Sequence, residues 1–442
     1  MPRITILLIL SFLFLEVYSQ ENMTFRYADS LTFELYQQGS WVELIRKGKE
    51  AIDNGHDYYY MRMRIGMAYY ALRNYGYAAS QFSKALNFNN KDQIALEYLF
   101  YSYYFSGRYL QAWAVLSDLQ DSGRERIINE SRIKKNSITV ETFYSNAGTE
   151  LIERQPDLYF TDTEQGTQTV TSSFINNALY FSHITGERSS YFHSFTNLIK
   201  DNYFHYFDGS HEADLSPQIV VQNQYYGRFN FFGSSGWVVS PSFHILTAGY
   251  SLISIGQTGN ASSYKARTNG FSGGIGITKT TGFLIFTGEA GYSKLNNIKS
   301  VQGALSLMVY PAGNRNIFFG GIITAVSNPW SADRENHIIS GFNAGFSVKN
   351  KVWFEFSGSS GKMKNYTENM GLIVYNGADF LTGKYNGKVI VPFYRPGITL
   401  FAGAGVGRYS SEFFPSDGYN DTGTNRLTYN NYSFTGGISW NF

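Results

Sequence analysis

The chain has 442 residues, with 35 Tyr, 36 Phe and 44 Gly against 9 Pro and no Cys, and a formal net charge of +2. Single cores stop growing at about 250–300 residues, so more than one domain is expected. Near-neutral charge gives no ground for nucleic acid as a bulk partner, and the lack of Cys excludes disulfides, thiolate metal sites and a lipidated N-terminal cysteine. Aromatics at 17% with a negative mean hydropathy do not describe a helical membrane protein. They suit a β-barrel, whose apolar outside and aromatic girdles are diluted by a polar lumen. At the N-terminus, Arg3, the apolar run Ile4 to Leu15 and Ser19 before Gln20 read as a cleaved secretory signal over 1–19. No second run of about 18 apolar residues follows, so a membrane would have to be crossed by strands.

From Asn22 to Leu119 the chain repeats every 34 residues. Gly39, Arg73 and Gly107 share one slot, Trp41, Tyr75 and Tyr109 the next, and Ala51, Ala85 and Leu119 close each unit. In the central copy Ile65, Gly66, Tyr69, Ala78, Phe82 and Ala85 place small residues where two helices touch and aromatics in the gap between them. This pattern resembles the tetratricopeptide repeat over 20–121, departing from it at Asn90, Arg62, Thr32 and Phe100. The resemblance implies a shallow concave face that binds a protein by shape. Tyr58, Tyr59, Tyr60, Arg62 and Arg64 are the candidates to line it, or simply to pack between helices. The charged stretch 122–136 reads as a last helix and linker.

Beyond Ser137 the period changes from helical to two. Val301, Gly303, Leu305, Leu307 and Val309 alternate with Gln302, Ala304, Ser306 and Met308, and similar segments recur about every twenty residues. They predict an antiparallel transmembrane β-barrel over 137–442 of about 16 strands. If the doubtful pair Phe380–Asn386 and Gly387–Tyr394 is removed, the count becomes 14. Tight turns such as Thr281-Gly282 and Lys349-Asn350-Lys351 alternate with longer polar stretches, the asymmetry of bacterial barrels. That places the helices and the C-terminus together on the periplasmic side. In the last stretch Tyr432, Phe434, Ile438, Trp440 and Phe442 fall on one parity, with small polar residues on the other. This ending resembles the C-terminal signal of Gram-negative outer-membrane barrels, and the resemblance implies recognition by the barrel assembly machinery.

Candidate chemistry is sparse. His205 and His211 share a loop with Asp201, Asp208, Glu212 and Asp214, at spacings unlike known calcium or zinc motifs. His193, Ser194 and Asn197 suggest a hydrolase, but adjacent strand residues face opposite ways. The glycine clusters, including Gly273-Gly274-Ile275-Gly276, lie inside alternating strands with no helix terminus to cradle phosphate. No metal, cofactor or covalent chemistry is expected. Glu141, Gln222, Gln224, Arg228, Glu289, Lys349, Glu355 and Arg408 are expected to face the lumen, where they set permeability or bond across a filled barrel. Repeats followed by a barrel resemble exopolysaccharide export porins, YaiO-type barrels and surface-lipoprotein assembly modulators. That resemblance implies recruitment of a periplasmic or outer-membrane protein partner for export or assembly of a macromolecule. A passive small-solute porin and an outer-membrane hydrolase are the alternatives.

Overall fold

The structure is a computed structural model, and it describes residues 23–148, 166–207, 212–233, 236–255, 261–330, 334–393, 397–415 and 426–442. The expected signal segment lies outside these residues. So do Asp208 and His211 and the side chains of His205, Glu212 and Asp214.

Among the described residues seven helices come first: α1 (Phe25–Gln37), α2 (Trp41–Asp53), α3 (Tyr59–Ala71), α4 (Tyr75–Phe88), α5 (Gln93–Phe105), α6 (Tyr109–Leu116) and α7 (Asp121–Ser131). The first six form three hairpins, and their starting points repeat at the 34-residue step seen in the sequence. Thr24 and Asp92 cap α1 and α5 by accepting from the amides of Tyr27 and Ala95, each satisfying one of the orphan donors of a helix start. Leu44, Met61, Ile65, Phe82, Phe100 and Leu116 are fully or almost fully buried between the hairpins. The small residues explain the close approach: a Cβ on Gly66 would stand 2.7 Å from the Phe82 ring, and one on Gly48 would stand 2.7 Å from Ile65.

The rest of the chain closes into one antiparallel barrel. Its strands on the first side are β1 (Asn136–Asn146), β2 (Gly166–Gly186), β3 (Ser189–Phe207), β4 (Glu212–Phe232), β5 (Trp237–Ile255), β6 (Ala261–Thr281) and β7 (Leu284–Leu295). Round the other side run β8 (Ile298–Val309), β9 (Ile317–Ser327), β10 (Asn336–Val348), β11 (Val352–Met363), β14 (Phe380–Phe393), β15 (Ile398–Pro415) and β16 (Arg426–Asn441). Two short strands, β12 (Tyr366–Glu368) and β13 (Ile373–Tyr375), pair only with each other. The barrel therefore has fourteen strands, the lower of the two counts expected. Phe380–Phe393 is one continuous strand, because Gly383, Asn386 and Gly387 stay in register with both neighbours.

Closure reaches the last residue: β1 pairs with β16 from Ser137↔Asn441 to Asn146↔Tyr432, and Asn136 and Phe442 exchange two backbone hydrogen bonds of 3.0 Å. No edge is left open there, which is what a strand in lipid requires. Large apolar side chains cover the outside, among them Leu305, Ile323, Ile338 and Phe434.

Strands β2 to β6 run 19 to 21 residues, absorbing much of what reads as long loops in the sequence. One turn on the rim away from the helices, Asn296-Asn297, is short because both residues adopt left-handed backbone, φ 50° and 63°. On the helix-side rim the longest connection, 310–316, receives the helices. The amide of Gly76 donates to the carbonyl of Gly313 at 2.7 Å, Arg108 donates to the carbonyl of Gly282 at 3.2 Å, and Tyr77 stacks on Phe283. At the other end of the array Arg188 pairs with Asp118 at 2.7 Å. These contacts fall on the turns after β2, β6 and β8, nearly half the circumference of the ring, so the helices lie across one mouth.

Candidate functional site: a barrel lumen crossed by an inner hairpin

Strand β11 ends at Met363 and β14 begins at Phe380, and the residues between them turn inward. The tip, Asn369-Met370-Gly371, has positive φ throughout, at 56°, 56° and 89°, which lets three residues reverse the chain between β12 and β13. A loop inside a barrel must have its backbone polar groups satisfied, and here the wall does so. The Met370 amide donates to Glu289 Oε2 at 3.0 Å, while its carbonyl accepts from Ser242 Oγ at 2.7 Å and Tyr226 Oη at 3.2 Å. His244 Nδ1 donates to the Gly371 carbonyl at 2.7 Å, which sets the tautomer, since a carbonyl can only accept. Gln302 clasps Thr367 by both its carbonyl and its amide, at 2.8 and 3.1 Å. Gln222 accepts from Asn376 at 2.9 Å.

Two charged anchors hold the hairpin, one beside its tip and one at its base. Glu368 accepts from Lys384 Nζ at 2.5 Å and from Tyr375 Oη at 2.6 Å. Asp379, with 1% of its side chain exposed, pairs with Lys200 Nζ at 3.1 Å. It also accepts from the Thr171 amide at 3.0 Å, from Thr171 Oγ1 at 2.8 Å and from Tyr429 Oη. The Thr171 amide needs this partner because β1 stops at Asn146 and β15 joins β2 only from Gly166 to Gln168, so Thr171 falls in the gap between the two neighbouring strands. Ser411 does the same service for the Thr169 carbonyl, at 2.7 Å.

Around and past the hairpin runs a cavity of about 1200 Å³, from Phe204 and Tyr250 towards the far rim to Met308 and Phe318 near the helix-side rim. Its wall carries both signs of charge: Glu141 lies 3.8 Å from Lys388, and Glu355 faces the same space.

Of the expected lumen residues, Gln222, Arg228 and Glu289 meet at the hairpin, Arg228 lying 3.9 Å from the Met370 sulfur. Glu141, Gln224 and Glu355 line the cavity. Two others are corrected. Lys349 stands in the helix-side turn after β10, where its φ of 52° ends the strand. Arg408 lies opposite Asn430 on the parity of Leu400 and Ile438, the outer face. Asp379 and Glu368 were missed because the inner hairpin is too short to show a period, and Lys200, Lys384 and Tyr429, though inside regular strands, because their partners reach them only through that hairpin. The one available signal was the turn chemistry of Asn376-Gly377-Ala378-Asp379.

On the helical array Arg62 is buried, pairing with Asp57 at 2.5 Å and Gln81 at 2.9 Å. Arg64 and Tyr58 both bond Asp29, at 2.7 and 2.6 Å. Tyr59 packs at the core's margin, and Tyr60 is 64% exposed. The large apolar side chains of Tyr432, Phe434, Ile438 and Trp440 project outward, and Phe442 closes the seam. His193 faces out beside Tyr191 and Phe195, whereas Ser194 is buried on the inner side, so the two do not meet. Among the described residues no three His, Asp or Glu side chains are grouped to hold a metal.

A closed barrel with an apolar outside, a polar inside and both termini of its sheet at one rim is a transmembrane barrel of the outer-membrane type. No protein-family model and no curated protein sequence matches the chain. Among solved structures it is similar to a TodX deltaS2S3 mutant, titled a monoaromatic hydrocarbon channel, at 9% identity over 70% of this chain and 91% of that one, with a TM-score of 0.47. It is also similar to the Pseudomonas putida toluene transporter TodX, at 8% identity over 74% and 92%, TM-score 0.44. The translocator domain of the autotransporter NalP from Neisseria meningitidis is a third, at 9% identity over 77% and 99%, TM-score 0.31. At these values the likeness carries no argument about what passes through this barrel.

Proposed function

We propose that the protein is a passive channel for small polar solutes in the outer membrane, narrowed by the inner hairpin and carrying its helical array on the periplasmic side. The observation that carries this reading is the cavity that continues past the hairpin. Eight-stranded barrels are filled by their own side chains, whereas 16 to 18 strands leave an aqueous channel; fourteen leave room for a hairpin and a path beside it. Glu141, Glu355 and Lys388 give that path both charge signs, so size and hydrogen bonding select solutes more than net charge does. A channel role invokes no covalent catalysis, and among the described residues His193 and Ser194 lie on opposite faces of their strand. Full-length protein in a planar bilayer should show discrete current steps, enlarged when residues 366–375 are replaced by a short Gly-Ser link. Silence from both forms would sink this reading.

A second reading, recruitment of a periplasmic or outer-membrane protein by the helical array, rests on its exposed apolar residues: Val42 at 71%, Tyr60 at 64% and Ile94 at 58%. Deletion of residues 22–120 would then abolish capture of a defined partner from detergent-solubilised membranes while leaving the barrel closed. The partner expected from the family resemblance would act in export or assembly at the surface.

A further inference from the structure

Left-handed backbone suits glycine and is tolerated by asparagine, but it strains residues with larger side chains. Asparagines and the hairpin's Met370 apart, the described non-glycine residues that adopt it are all cations: Arg73 at φ 58°, Arg132 at 51° and Lys349 at 52°. The fold does not force this choice. Gly39, Arg73 and Gly107 occupy one slot of the repeat, and each ends its helix with an amide bond to the carbonyl three residues back, at 3.1, 2.9 and 3.0 Å. Glycine serves in the flanking copies, at φ 67° and 76°, and only the middle copy carries a side chain there. Strain of this kind persists where another interaction compensates for it.

All three cations stand at the helix-side rim. The carbonyl of Arg73 accepts from Asn314 Nδ2 at 3.3 Å, Lys349 lies in the turn after β10, and Arg132 leads with Lys134 into β1. The turns after β8 and β10 are joined: the Ser347 amide donates to the Asn316 carbonyl at 2.8 Å, and Trp353 Nε1 donates to the Arg315 carbonyl at 3.3 Å. Arg315, Lys349 and Lys351 therefore share one stretch of rim. No Asp or Glu occurs in 132–135, 310–316 or 349–351. Where the helices meet the turn after β2, Arg124 and Arg188 are paired with Glu187 and Asp118. Arg73, Arg132, Lys134, Arg315, Lys349 and Lys351 are exposed and have no carboxylate partner among the described residues. The outer wall shows what lies against them. Its apolar face continues to the turns themselves, with exposed Val348 just before Lys349 and exposed Ile317 just beyond Arg315, and exposed Trp237 and Trp440 stand at the same strand ends. Tryptophans mark the headgroup level, where cations at the end of an apolar band meet lipid phosphates. Cations set along several turns, and not gathered in one groove, suit a layer of separate phosphates better than a single folded partner.

We infer that the helix-side rim is a binding surface for anionic phospholipid headgroups, and that Arg73, Arg132 and Lys349 keep strained backbone in order to meet them. The inference stands whether or not the lumen conducts. Full-length protein in a nonionic detergent, given equimolar phosphatidylglycerol and phosphatidylcholine, should retain the anionic lipid at least tenfold more in native mass spectrometry, and less as salt rises. Each cation near an anionic surface strengthens binding about fivefold, so R73G/R132G/K349N should lose at least tenfold in retention. Glycine and asparagine suit left-handed backbone, so the same variant should keep its heat-modifiable barrel and melt no lower than the parent. A merely structural role for these cations would not give lost binding with undiminished stability. Equal retention of the two lipids, unchanged retention by the triple variant, or tighter binding of a poly-glutamate peptide than of phosphatidylglycerol would each overturn the inference. Should the triple variant fail to close, Lys351→Ala, outside the left-handed positions, still decides: retention should fall about fivefold, and no fall would overturn the inference.

Discussion

Asp379 shows how one side chain joins three parts of the molecule: the hairpin, β3 through Lys200 and, through Thr171, the gap along β2 between its pairings with β1 and β15. A buried pair contributes little beyond a hydrophobic replacement, but removing one member leaves a buried charge at a cost of about 3–5 kcal/mol. Asp379→Asn should therefore lower the temperature at which the barrel loses its compact migration, and adding Lys200→Met should restore part of the loss, since neither charge then remains. An unchanged transition in the single variant would contradict the anchor. On the helical array, Asp29 titrates below the usual carboxylate range, held down first by the hydrogen bond from Tyr58 and then by Arg64, against desolvation. Its folded pKa is depressed, so its contribution is present above the unfolded value near 3.9 and is lost as pH falls through the lower folded value. With 40% of the side chain exposed, the contribution is below about 1 kcal/mol. Asp29→Asn should flatten the acid limb of helix melting followed by circular dichroism, with its loss of up to about 1 kcal/mol seen at pH 7 and vanishing at low pH, where the carboxyl of the parent is protonated.

At the scale of elements, periodicity was legible and local interruptions were not. The 34-residue step marked where helices begin, because small residues must recur wherever hairpins touch. Gly66→Ala tests this. Alanine is favoured in a helix by about 1 kcal/mol, but a Cβ 2.7 Å from the Phe82 ring overpacks the site at roughly 1–3 kcal/mol. Net destabilisation is expected in thermal melts of the helical signal; a stabilised variant would show that Phe82 moves freely. Two-residue alternation likewise exposed the strands, since lipid and lumen impose opposite chemistry on adjacent positions. It failed at Phe380–Phe393, where glycines imitate a turn, and at β12 and β13, where three residues are too few to show a period. The lumen residues were half legible for the same reason. Parity assigns a face inside a strand, and Gln222 and Glu289 lie well inside theirs. Lys349 fell past a strand end, and Arg408 sits near a far rim where polar residues occur on both faces. No pattern along the chain could reveal that an inner hairpin would gather Gln222, Arg228 and Glu289 from separate strands, because that meeting depends on the closure of the ring.

At the scale of the whole molecule, the helices and the barrel meet backbone to backbone, and this makes their docking sensitive to a single methyl group. Gly76 is the second residue of α4, and a Cβ there would stand 2.7 Å from the Gly282 carbonyl oxygen and 3.1 Å from that of Gly313. Neither oxygen can swing away as the end of a side chain could. The same approach carries the hydrogen bond from the Gly76 amide to Gly313, contributing about 1 kcal/mol, so Gly76→Ala loses that bond and adds a clash. Yet alanine strengthens the helix itself. The two effects separate in measurement: helical signal and heat-modifiable migration should persist, while trypsin cleavage among Arg132, Lys134 and Lys135, between α7 and β1, accelerates by roughly tenfold for each 1.4 kcal/mol of docking lost. Unaltered cleavage would mean that the array is held mainly through Arg188 and Asp118 at its other end. Arg188→Ala in the same background would then be the variant that releases it, which makes the pair of substitutions a direct measure of how the helices are fixed across the mouth.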